Sequence, residues 1–146
     1  MKKIVSFLLV LTFVLALSAC GNTQDVNGSC RVVIMGETAT EYSVDLSKVE
    51  VSEGVFSLLK YLKDNENLTL EFNSGAYGAE LTKLGALSPN GNEYICVWTS
   101  VSKDFDVSSW AQTTTYDGVS LTTSGLGVSS MTVEDNAVYY FSLVSF

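Results

Sequence analysis

The sequence predicts an α+β fold in which one helix packs against a mixed sheet. Three observations carry this reading. Only one segment, VSEGVFSLLKYLKDN, spaces its apolar residues at helical intervals. The segments on either side of it alternate apolar and polar side chains, as half-buried strands do. Two further runs, EYICVWTSV and AVYYFSLVSF, are apolar on both faces, as interior strands covered from both sides are.

Taken in order, RVVIM reads as a strand entering the core, and Gly36 to Thr40 as a connection. In EYSVDLSKVEV, Tyr42, Val44 and Leu46 alternate with Ser43 and Asp45, which is strand patterning. The period then changes. Val55, Leu58, Leu59 and Leu62 fall at i, i+3, i+4 and i+7, one apolar stripe along a helix. Ser52 is the expected cap, Glu53 suits the first turn, and Lys60 and Lys63 suit the last. Asn65 to Asn67 break the helix. LTLEFNS returns to alternation, with Leu68, Leu70 and Phe72 on one face. GAYGAELTKLGAL is punctuated by glycine, and Pro89 lies in a turn with Asn90 and Gly91. Ser102 to Glu134 is long and rich in Ser, Thr and Gly. Within it, GVSLTT and VSSMTV are candidates to pair as short strands.

The N-terminus stands apart from this fold. Lys2 and Lys3 precede an apolar run from Ile4 to Leu17, too short to span a bilayer with confidence. Its exit, Leu17-Ser18-Ala19-Cys20-Gly21, resembles the lipobox of bacterial lipoproteins. The resemblance implies that residues 1–19 are a signal peptide cut before Cys20. It also implies that Cys20 is acylated, so that the protein is extracytoplasmic and lipid-anchored to the cell membrane. Residues 20–30, small and polar, would be the anchor and a flexible linker, and residues 31–146 the single domain.

Without residues 1–19, 127 residues remain, with six basic groups against 16 acidic ones, a net of −10. That balance argues against nucleic acid as a partner and against adsorption onto anionic lipid. Two cysteines remain after Cys20. Cys30 and Cys96 are either a disulfide pair, which an extracytoplasmic setting allows, or unbridged, with Cys96 a small buried hydrophobe. The chain has no histidine, so a metal site on this pair is disfavoured.

The order of elements, with SEGVFSLLKYL as the turn into the helix, resembles the β-grasp fold. SGAYGAELTKLGAL running into NEYICVW, and the ending MTVEDNAVYYFSLVSF, extend the likeness. Over residues 31–146 the chain is similar to the transcobalamin C-terminal-like (DUF4430) domains. In vitamin B12 carriers the related domain closes over a corrinoid held by a larger helical domain. The resemblance therefore implies a corrinoid-like small-molecule ligand, with Leu81, Thr82, Leu84 and Tyr94 at the matching positions. Glu80 and Lys83 depart from that pattern.

Among exposed candidates, Trp110 and Tyr116 lie in DVSSWAQTTTYDG, a polar loop that has no need of large rings, and are expected to form a recognition pair. Tyr77, between Gly75 and Gly78, is expected where a ligand or another chain approaches closely, with a simple bent hairpin as the alternative. Trp98 is expected to pack in the core. Asp104 and Asp106 are read as solvated acids, because Ser109 and Thr115 stand where a calcium loop starting at Asp104 needs glycine and glutamate.

No catalytic relay is expected. The chain has no imidazole base, no GxSxG elbow and no GxxxxGK loop, and no carboxylate is expected in an apolar setting. The sequence thus predicts a non-enzymatic binding module, with no cofactor, that captures a small molecule. The alternative is a protein–protein interaction or adhesion module that docks a surface protein partner through a sheet edge.

Overall fold

The computed structural model describes residues 26–146; residues 1–19, expected as a signal peptide, and Cys20 lie outside the described residues. The fold class is as expected: the described residues form one α-helix, a six-stranded mixed sheet and a separate two-stranded hairpin. The chain runs β1 (Ser29–Met35), β2 (Ala39–Asp45), α1 (Gly54–Glu66), β3 (Leu70–Gly75), β4 (Gly78–Leu84) and β5 (Glu93–Thr99). It continues with β6 (Thr113–Tyr116), β7 (Val119–Thr123) and β8 (Val138–Ser145). In the large sheet the order is β2-β1-β8-β5-β7-β6, with β1 and β8 parallel and the other pairs antiparallel. β1 begins at Ser29, and Cys30 is already buried.

Helix α1 forms because its stripe is buried. Val55, Leu58, Leu59 and Leu62 join Val32, Ile34 and Val44 of β1 and β2 and Tyr139 and Phe141 of β8 in one core. Its start differs from expectation. Ser52 does not cap it; Glu53 holds the cap position and donates its N–H to Ser57 Oγ at 3.0 Å. A first-turn N–H, that of Phe56, donates to the carbonyl of Val128 at 3.0 Å instead. Asn67, in the left-handed region at φ 55°, ends the helix by donating its N–H to the Leu62 carbonyl.

The long insertion divides into a hairpin and a packed turn. β7 pairs with β5 only at Trp98↔Thr123 and Thr99↔Thr122, and with β6 along its length. The β6–β7 hairpin then lies over the face of the sheet away from α1. Its turn residue Asp117 meets Arg31 on β1 at 2.9 Å, across β5 and β8. Beneath it Val33, Trp98, Leu121 and Val138 form a second, smaller cluster, with Trp98 edge-on to Tyr140. VSSMTV forms no strand. Its Val128, Met131 and Val133 are buried instead in the core beside α1.

Cys30 and Cys96 are both free thiols. Cys30 points into the core under α1 and Cys96 toward the opposite face of the sheet, on strands with β8 between them. A side-chain bridge through a sheet is geometrically closed, so the disulfide alternative is set aside. Burial pushes the Cys30 thiol up to about 12, with the Asp135 charge adding to it.

Candidate functional site

The two sheets do not join. β4 pairs with β3 alone, and the first half of β5 pairs only with β8, because β7 reaches β5 no further than Trp98. The gap between these two unpaired edges is a cleft of about 300 Å³. Ala79, Glu80 and Leu81 wall it on the hairpin side and residues 94–97 on the β5 side, with Leu126, Val128 and Phe141 adding to the apolar lining. A second hollow of about 450 Å³ around Tyr77 adjoins it, with Leu126 and Gly127 common to both walls.

The shared wall is the segment 124–128, and its position is fixed by backbone. Ser124 donates its N–H to the Val97 carbonyl and Gly125 to the Asp104 carbonyl, each at 2.9 Å. The tip of the β3–β4 hairpin is held to the following turn. Gly78 sits at φ 97°, where a Cβ would stand 2.6 Å from that of Ser129, and the Ala79 N–H donates to Ser129 Oγ at 3.0 Å. Tyr77 projects from this tip at 94% exposure. Its ring is thus presented on a turn that is itself well anchored.

The loop carrying Trp110 springs from the same region. Asp106 N–H donates to the Thr123 carbonyl at 2.8 Å, and Gln112 N–H to Thr123 Oγ1 at 3.0 Å, closing both ends of the loop on one residue. Its side chains Val107 and Trp110 are 99% and 85% exposed. Trp110 lines neither hollow.

The structure sorts the expected site residues. Leu81 and Tyr94 both line the cleft and Tyr77 borders the adjoining hollow. Thr82 is the extra, exposed residue of a bulge opposite Glu71 and Phe72, and Leu84 is fully buried in the core beneath it. Tyr116 does not pair with Trp110. It packs on Tyr140, ring centres 5.7 Å apart, in the cluster under the β6–β7 hairpin. Leu126 and Phe141, which the cleft uses, carry no sequence signal beyond a glycine-flanked leucine and an interior strand.

Asp104 requires a correction. It is not solvated but 2% exposed, and its carboxylate accepts from the N–H and the hydroxyl of Thr132 at 2.6 and 2.9 Å. Asp106 spends its carboxylate on the N–H and hydroxyl of Ser108. Among the described residues no group of three or more His, Cys, Asp and Glu is placed to hold a metal ion. Burial raises the Cys96 thiol to about 11, with the Asp106 charge contributing, and burial also raises the Tyr94 hydroxyl. A thiol kept protonated is a poor nucleophile, so the cleft offers surface and shape rather than a reactive group.

No family profile and no curated protein matches the chain significantly. Two solved structures are similar in fold. One is a Ruminococcus gnavus ATCC 29149 protein provisionally described as metal-binding, with a TM-score of 0.53 at 14% identity over 82% of this chain and 99% of that one. The other is haptocorrin in complex with cobinamide, with a TM-score of 0.54 at 16% identity over 86% of this chain. The chain spans 28% of haptocorrin's length. The likeness is one of fold: a mixed sheet packed on one helix, as in the matched part of haptocorrin.

Proposed function

We propose that the protein is a non-catalytic binding module that holds an amphipathic small molecule of the corrinoid type in the cleft between β4 and β5. One observation supports it above the rest: an apolar cleft walled by Leu81, Tyr94, Leu126 and Phe141 that opens onto the hollow beside Tyr77. The haptocorrin likeness supplies the ligand class. The cleft is shallow, so a corrinoid would lie partly outside it and meet a second surface there.

Equilibrium dialysis against cobinamide, read by its own absorbance, is expected to give saturable binding. Leu126→Asp, which puts a charge on the shared wall at a half-exposed position, is expected to weaken it by about tenfold or more. Absence of binding up to millimolar cobinamide would remove the corrinoid.

The same proposal places the module outside the cell on a lipid at Cys20. Multiple acyl chains, each contributing about 0.8 kcal/mol per buried methylene, hold a small domain durably on a membrane. Mass spectrometry of protein taken from native membranes is expected to show an acylated N-terminal Cys20. A chain retaining residues 1–19 and a bare thiol would sink the anchor.

A further inference from the structure

We infer that the cleft selects a cationic amphipathic molecule and turns anionic ones away; this rests on the reading that the cleft is the ligand site. The charge on its walls has one sign. Neither hollow is lined by a lysine or an arginine, and Glu80 is the only carboxylate on either wall. Glu80 is exposed at the lip of the cleft, opposite Asn73 in the hairpin, and among the described residues no basic group stands within ion-pairing distance of it.

Lys83, the lysine on the same strand as Glu80, is paired away from it, 4.0 Å from Glu71 across the hairpin. Asp106 adds a second negative charge behind the wall, close enough to act on Cys96. The chain as a whole carries −8. A phosphate or carboxylate entering this cleft would give up water and find no cation in return. A positive ligand instead meets Glu80, with aromatic surface from Tyr94 in the cleft, its ring stacked on Phe146, and from the exposed Tyr77 in the adjoining hollow.

Two matched pairs of probes test this by equilibrium dialysis and fluorescence. In the corrin pair, aquacobinamide is a cation, and cobyrinic acid carries carboxylates in place of its amides. The unrelated pair is acridine orange, a cation, and anilinonaphthalene sulfonate, an anion. The cation of a pair is expected to bind about tenfold or more tighter than its anion, with the gap closing as salt screens the cleft. Glu80→Gln, an exposed change that leaves the core untouched, is expected to weaken the cations about fivefold.

Equal affinity within both pairs, or a Glu80→Gln protein that holds the cations unchanged, overturns the inference. If the dyes discriminate and neither corrin binds, the charge selectivity stands and the corrinoid reading falls. If no probe binds at all, the cleft is not a ligand site and both fall.

Discussion

Replacing Gly54 by alanine is expected to lower the unfolding free energy by about 4 kcal/mol, from a strained backbone plus a steric clash. Gly54 opens α1 at φ 54°, where a side chain is disfavoured. A Cβ there would stand 2.4 Å from the Met131 carbonyl oxygen and 3.1 Å from that of Val128. Neither oxygen can yield cheaply. The Val128 carbonyl accepts the N–H of Phe56, and Val128 and Met131 are both buried in the core under the helix. The helix and the 128–131 turn would have to part, exposing apolar surface on both.

Gly91→Ala is the matched control. Gly91 has a similar φ of 65° but nothing within 4 Å of its Cβ position, so only the backbone cost of about 1 kcal/mol applies. Urea unfolding of the two variants separates the effects. Equal losses would mean that close approach at the helix start contributes nothing. Because Val128 also lines the cleft, the Gly54 variant is expected to weaken any ligand held there as well.

What the sequence revealed, and what it hid, divides along one physical line. Local rules worked where the burial of a residue follows from its own neighbours. The stripe from Val55 to Leu62 forms the helix, and the doubly apolar runs around Val97 and Phe141 form adjacent interior strands. Gly54 needed a positive φ before a helix, and the turn into the helix was visible as such. Long-range placement was not legible. Tyr116 and Trp110 share one polar segment, yet one packs under a hairpin that crosses the sheet and the other stands in water. Nothing in KDFDVSS distinguishes the buried Asp104 from the half-buried Asp106, because the distinction is made by Thr132, 28 residues on. Cys30 and Cys96 fall on opposite faces because of the register that β8, from the far end of the chain, sets between their strands: Ser142 is level with Cys96 and with Met35, an odd number of residues from Cys30. The cleft itself is a gap between two edges, and an absent pairing leaves no pattern in either strand.

Asp104→Ala is expected to lower stability by about 3 kcal/mol, the cost of leaving a buried N–H and hydroxyl without a charged acceptor. The carboxylate is nearly inaccessible and both its oxygens are engaged by Thr132, so water cannot replace it without opening the packing. Asp104→Asn keeps the shape and one acceptor oxygen but turns a donor toward the other contact, so about half the loss is expected. Thr132→Val closes the cycle. If the carboxylate acts through Thr132, the double variant Asp104→Ala, Thr132→Val loses clearly less than the two single losses together. Additive losses, or an Asp104→Ala loss below about 1 kcal/mol, would show that the carboxylate is incidental. The same residue holds Gly125 through its main-chain carbonyl. A side chain that ties the turn beside α1 and a backbone that ties the cleft wall therefore meet at one buried position. Loss of that tie is expected to loosen the wall before the rest of the domain unfolds, with faster amide exchange at Gly125 and Thr132 than in β8.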